Sequence, residues 1–375
     1  MSRRGHLNLL ALWGAALVAG PPCAWSRQAT RVGGKGRISR DQYLAEMNRA
    51  LDELGTTSDR PAVARGRVQI HANLFLAHEA FIAGTPLSTL KRATDAFKEA
   101  GVAQVDLNMG LFPWVDGDQA TIGKYDAVVE HVRASGMRVA VNPQYSPLRH
   151  KLNGFAQWRQ RALQIYGEIA GRYRPDVFVV VHEPTTMASR LGARRTKPSD
   201  WSDFAREAAR LVREKSPSSR IGAGGLSTEQ EFFSAFARMR EIDVLTLDVY
   251  QLRTLATYEE MVRTARANGK PVYVEETWRP PYYRPEPGRT PDQISVQSVG
   301  DPAFETLDVK WIRMMMAWAA AQGVEGITPV WMQTFFAYGS EGTGAFDPEY
   351  LRRVIAAIDK GERTQTFRAL KDLAR

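Results

Sequence analysis

Two stretches of this 375-residue sequence end on carboxylates in a way that chemistry can use. VFVVVHEP, from Val177, closes on His182 and Glu183, and VYVEETW, from Val272, closes on Glu275 and Glu276. Carboxyl groups at two separate strand ends suit hydrolysis of an acetal, in which one protonates the leaving oxygen while the other attacks carbon or activates water. Further polar residues alternate inside apolar runs: Gln69, His71 and Asn73; Asp106 and Asn108; Asn142 and Gln144; Thr246, Asp248 and Tyr250. Strand geometry projects each set onto one face. His71 and His182 read either as substrate contacts or as hydrogen-bonded interior histidines.

Metal chemistry fits these residues poorly. The run from His182 to Thr186 lacks the second histidine of H-E-x-x-H, because Thr186 occupies that place. His71, His78 and Glu79 are spread across a strand end and a loop, not set at ligand spacing. The expectation is chemistry with no metal and no cofactor.

Such residues need elements to hold them, and from about residue 66 the sequence alternates two kinds. RVQIHANLF, VAQVDLNMGLF, MRVAVNPQY, DVFVVVHEP, RIGAGGL, DVLTLDVYQL, PVYVEETW and GITPVWMQTFF read as strands. Between them lie stretches of helical periodicity such as TPLSTLKRATDAFKEAG, FAQWRQRALQIYGEIAGRY and TLDVKWIRMMMAWAAAQG, with an eighth helix starting near Asp347. Eight even β and α units predict an α/β fold, a (β/α)8 TIM barrel spanning 66–375 as a single domain. No G-x-G-x-x-G follows the first strand, which argues against a dinucleotide fold, and the glycines of RIGAGGL read as close-packing residues. A barrel places its chemistry at the carboxyl ends of its strands, where Glu183, Glu275 and Glu276 fall.

At these positions the chain resembles the clan A glycoside hydrolases, barrel enzymes with an acid/base glutamate ending strand four and a nucleophilic glutamate ending strand seven. The resemblance implies that Glu183 in HEP is the acid/base and Glu276 in VEET the nucleophile of a retaining reaction on β-glycosidic bonds. It implies further that Tyr250 contacts the nucleophile and that Trp331 floors the sugar subsite. His182 departs from the clan's usual asparagine, though mannanase-type members carry His-Glu. The expected substrate contacts are His182, Tyr250, Trp331, Trp278, Asn108, Asn142 and His71. Glu276 is preferred to Glu275 on two grounds: the clan motif sets threonine or glycine directly after the nucleophile, and alternation places Val272, Val274 and Glu276 on one face, although by alternation alone Tyr273 and Glu275 could equally be the inward pair. The loop TWRPPYYRPEPGRTPD, with Trp278, Tyr282 and Tyr283, offers rings for a cleft wall.

The N-terminus reads as an address. Arg3 and Arg4 precede LLALWGAALVAG, and Ala24 and Ser26 bracket Trp25 in cleavage-site spacing, so 1–26 is expected to be an export signal. Residues 27–65 then form a tether and a helix capped near Ser39. Cys23, the sole cysteine, falls within the signal, leaving a chain without disulfides; lipid attachment at Cys23 is the lesser alternative. The protein is expected to be secreted or periplasmic, with no membrane span once processed.

Lys and Arg number 50 and Asp and Glu 41, a formal charge of +9. No run interleaves the bases with aromatic residues, so nucleic acid is not an expected partner. The expected partner is a polysaccharide or oligosaccharide. Two other readings remain open at this stage: a catalytically weak glycan-binding barrel, and a metal-dependent barrel hydrolase or isomerase.

Overall fold

A parallel strand covered on both faces needs a near-continuous apolar run, and the eight runs supply one each. The computed structural model describes residues 39–56, 68–145, 152–193, 196–280 and 299–374. Within them the runs form β1 (Gln69–Asn73), β2 (Gln104–Gly110), β3 (Arg138–Gln144), β4 (Val177–His182), β5 (Arg220–Gly225), β6 (Val244–Val249), β7 (Val272–Thr277) and β8 (Gly326–Pro329). Each pairs in parallel with its sequence neighbour and β8 pairs with β1, so the sheet closes into a (β/α)8 barrel. The expected export signal, most of the tether, and Tyr282 and Tyr283 lie outside the described residues.

Helix starts follow their capping chemistry. The Asp118 carboxylate accepts from Thr121 N at 3.0 Å, and Asp347 accepts from Glu349 N and Tyr350 N at 2.9 Å each. The helix Pro348–Lys360 therefore begins where the sequence places it. A last helix, Gln365–Ala374, was not singled out in the sequence; it packs against the helix Glu305–Ala321 and against β1. Ser39 and Gln42 cap the helix Arg40–Thr56 reciprocally, backbone N–H to side-chain oxygen at 2.7 and 3.2 Å. Its Tyr43 joins the main core and its Asp52 accepts from Lys310 at 2.9 Å, so this helix belongs to the barrel's outer layer.

Apolar packing falls into two layers. Ala140, Val177, Val179, Val244 and Tyr273 fill the barrel lumen, while the larger cluster lies between sheet and helices. Val272 and Val274 belong to that outer layer and Tyr273 to the lumen. This corrects the parity argument made from sequence, because the inward face of β7 runs through Tyr273 and Glu275. A bulge then changes the phase: Leu247 pairs with Val274 but Asp248 pairs with Glu276, leaving Glu275 as the extra residue. Thr277 faces the helices, donating to Val249 O at 2.7 Å and accepting from the Trp311 indole at 3.1 Å. Glu275 and Glu276 thus both turn inward. A second bulge inserts Val180 into β4, where Val179 pairs with Gly222 and Val181 with Ala223.

Just beyond β7 the chain is pinned by charge. Arg279 and Asp308 form a fully buried pair at 2.5 Å, with the guanidinium over the Phe304 ring at 4.1 Å and the Tyr338 hydroxyl donating to Asp308 at 2.9 Å. Burial pushes Asp308 up to about 6 even though Arg279 pulls the other way. Removing one member leaves the other charge buried alone, which costs about 3–5 kcal/mol. Asp308→Ala is therefore expected to lower the unfolding free energy by that amount in urea titrations. A loss below about 1 kcal/mol, the level of an exposed pair, would show that Arg279 finds another acceptor.

Candidate active site

The carboxyl ends of the strands surround a cavity of about 140 Å3 whose wall includes Asn108, Asn142, His182, Glu183, Glu276 and Trp331. Asn108 and Asn142 stand side by side because β2 and β3 pair them in register. Trp331 comes from the turn after β8 and packs edge-on against Phe75, with ring centroids 4.9 Å apart. Phe346 closes this apolar side, 5.6 Å from Phe75. Flat rings of this kind suit the C–H faces of a sugar.

Glu183 follows β4 with φ of +44°, one of two non-glycine residues in the left-handed region among the described residues. Pro184 begins the next helix, Pro184–Arg190, so the chain turns sharply with the carboxyl at its corner. β5 makes room for the turn: a Cβ on Gly225 would stand 3.1 Å from Glu183 Cα and overlap the Glu229 carboxylate. Glu229 holds the corner from behind, accepting from Thr185 N at 2.6 Å, Thr185 Oγ1 at 2.5 Å and Leu226 N at 2.8 Å. Burial raises the affinity of Glu183 for its proton; His182 opposes this and the charge of Glu276 adds to it. A buried carboxyl of this kind is suited to donate a proton.

Glu276 is gripped from β6, where the Tyr250 hydroxyl donates to its Oε2. Burial first, and then Glu276, keep Tyr250 protonated far above the ordinary phenol range. His182 Nε2 lies 3.0 Å from Asp248 Oδ2 and 3.9 Å from Glu276 Oε1. Burial works against the imidazolium, but Asp248, Glu275 and Glu276 together outweigh it and hold His182 well above its usual value. Glu275 lies one layer deeper, accepting from Asn142 Nδ2 at 2.6 Å. Burial pushes Glu275 and Asp248 up to about 7 each, with His182 pulling both down. Donor atoms of His182, Asp248 and Glu275 lie within 4.8 Å of one another, the group best placed to hold a cation among the described residues.

Two expected substrate contacts lie elsewhere. His71 sits on the floor of the lumen, 1% exposed, its ring edge-on to Tyr273 at 5.2 Å and against Gly326. Burial drives it down to about 3, so it is neutral. Beside it Asp106 accepts from Gln104 at 2.8 Å and Thr328 at 2.7 Å. Trp278 belongs to the apolar layer outside the sheet, against Phe335. Tyr250 reaches the site through Glu276. The wall also carries Phe75, His78, Arg190 and Phe346, which the sequence reading did not select. Asp248 was legible, because it alternates with Thr246 and Tyr250 along β6.

No protein-family profile matches the sequence, and no curated protein matches it either. Solved structures do match the fold. An exo-β-1,4-mannosidase from Opitutaceae bacterium strain TAV5 is 14% identical with a TM-score of 0.54, over 82% of this chain and 59% of that one. The GH5_18 protein of Streptomyces cattleya, solved with GlcNAc, is 13% identical with a TM-score of 0.52, over 82% and 79%. A GH10 endoxylanase from a sugarcane soil metagenome is 12% identical with a TM-score of 0.51, over 82% and 96%. All are clan A (β/α)8 barrels. The chain spans 59% of the mannosidase's length, and what it shares with these glycoside hydrolases is the barrel.

Two outcomes follow from this geometry. Glu183 carries both left-handed strain and a buried carboxyl, and a left-handed non-glycine residue costs about 1–2 kcal/mol. Glu183→Gly is expected to raise the melting temperature; a lowered melting temperature would show that the side chain stabilises the fold.

Asp106, Glu229, Asp248 and Glu275 each have folded values of about 7, against about 4 in an unfolded chain. The folded state therefore keeps protons that the unfolded state releases, and this stabilisation is complete below about pH 4 and lost as pH rises to about 7. The raised His182 acts in the same direction above its unfolded value. Melting temperature is expected to fall from pH 5 to pH 8, and a rise over that range would contradict the assignment.

Proposed function

We propose that the protein hydrolyses β-glycosidic bonds of a polysaccharide or oligosaccharide with retention of configuration, using Glu183 as acid/base and Glu276 as nucleophile. One observation carries this reading: side chains from the ends of β4 and β7 meet on one cavity wall, a carboxyl whose proton affinity burial raises and a carboxyl held by Tyr250. Glu183 donates its proton to the glycosidic oxygen as Glu276 attacks the anomeric carbon and the C–O bond breaks, giving a glycosyl ester on Glu276. Glu183, now ionised, takes a proton from water, whose oxygen displaces Glu276 from the sugar and restores both groups. Double displacement requires the Glu183 and Glu276 carboxyl groups to stand about 5–5.5 Å apart. Tyr250 occupies one oxygen of Glu276 and leaves the other for carbon.

Glu275 is the less suited of the pair, since Asn142 holds it below the cavity wall. Trp331, Phe75 and Phe346 would pack against the sugar ring. The mannosidase and xylanase folds place β-1,4-linked mannan and xylan first among substrates to try. The reading includes secretion, supported by the arginine-led apolar pattern of residues 1–26, and no described helix is long and apolar enough to cross a membrane.

A panel of 2-fluoro aryl β-glycosides tests the nucleophile by mass spectrometry. One glycosyl mass is expected on the peptide containing Glu276, lost in Glu276→Ala and kept in Glu275→Ala. Labelling on Glu275 itself would overturn the assignment. For the acid, Glu183→Gln is expected to lose turnover on poor leaving groups by about 10²–10⁴-fold while largely keeping it on activated aryl glycosides. Equal loss on both would remove Glu183 from that role.

A further inference from the structure

Asp106, Glu183, Asp248, Glu275 and Glu276 are all buried, and such carboxyl groups need opposite charge or donors close by. Asp248 is fully buried, and neither of its oxygens accepts a well-aligned hydrogen bond. The same holds for Glu275 Oε2. These orphaned oxygens surround the Nε2 edge of His182, whose 3.0 Å contact with Asp248 is thus an ion pair more than a directed hydrogen bond. The β7 bulge produces the arrangement, because it sets Asp248 in register with Glu276 and turns Glu275 inward beside it.

Resting on the glycosidase reading, we infer that His182 is a positioning residue: a fixed positive charge beneath the catalytic pair, anchored by Asp248 and Glu275, that steadies the Glu276 carboxyl group from 3.9 Å. The charged groups around it are Asp248 of β6, Glu275 and Glu276 of β7 and the adjoining Glu183, with Tyr250 held on Glu276, Asn142 of β3 on Glu275, and Arg190 of the helix that follows on the same cavity wall. The neighbouring carboxylates favour its protonated form over burial, which agrees with this geometry. An amide in its place would donate to a sugar or a carboxylate but would supply no charge. Glu276 would then share a buried site with two uncompensated carboxylates.

The charge relation gives a signature that a packing role does not. His182→Asn is expected to lower kcat/KM about tenfold or more, the size of effect that loss of one nearby unit charge produces, and to shift the acid limb of the pH profile upward. Asp248→Asn alone is expected to lower kcat/KM as well, since the imidazolium loses its anchor. In the His182→Asn background, Asp248→Asn removes an unbalanced negative charge, so the double variant is expected to be more active than His182→Asn. Losses that simply add would overturn the inference.

Nitrogen NMR of the His182 ring in the wild-type protein reads the same claim without turnover. Both ring nitrogens are expected to carry protons at pH 7, and a neutral ring would overturn the inference. An imidazolium in a protein that cleaves no glycoside would locate the failure in the proposed reaction instead. Stoichiometric Zn2+ binding by wild type, lost in Asp248→Asn, would make the cluster a metal site and would likewise overturn it.

Discussion

Burying a carboxylate costs several kcal/mol unless hydrogen bonds and opposite charge replace the lost water, and this barrel buries Asp106, Glu183, Asp248, Glu275 and Glu276 around one lumen. Each is answered differently. Asp106 takes donors from Gln104 and Thr328, Glu275 from Asn142, and Glu276 from Tyr250, whereas Asp248 has the His182 imidazole as its charged neighbour. For Glu183, burial raises the affinity for its proton instead. The same constraint thus sets Glu183 and Glu276 in unlike environments, the kind of asymmetry that the proposed acid and nucleophile would require.

Backbone irregularity is concentrated at the same place. β4 and β7 each carry one extra residue, and Glu183 adopts a left-handed conformation at the corner between strand and helix. Regular alternation would have sent Glu276 outward, onto the face of Val272 and Val274. The scaffold compensates by rigid support from behind: Glu229 ties Thr185 to Leu226, Trp311 holds Thr277, and the Arg279–Asp308 pair fixes the chain just past β7. Strain at a site and stiffness around it are two parts of one arrangement.

The barrel was legible because its signals are local. Apolar runs of strand length and caps such as Asp347 and Ser39 are written within a few residues, and each element formed close to where they stand. The positions of Glu183 and Glu276 were legible for a related reason, since strand ends in this fold gather at one face. Bulges are not local signals: Glu275 becomes the extra residue only through the pairing of β7 with β6. The inward face of β7 was therefore misjudged even though Glu276 arrived at the cavity wall. Depth is equally hidden, which is why His71 sank to the lumen floor and Trp278 joined the outer core. A polar residue on the correct face of a strand says nothing about how far it stands from the mouth.

The account depends most on Glu183 and Glu276 acting as a retaining pair, and the configuration of the first-formed product reads that most directly. Proton NMR of the anomeric signal, recorded as an aryl β-glycoside or β-linked oligosaccharide is cleaved, is expected to show the β-anomer first and the α-anomer only later by mutarotation. An α-anomer formed first would mean inversion, and would contradict the covalent role given to Glu276.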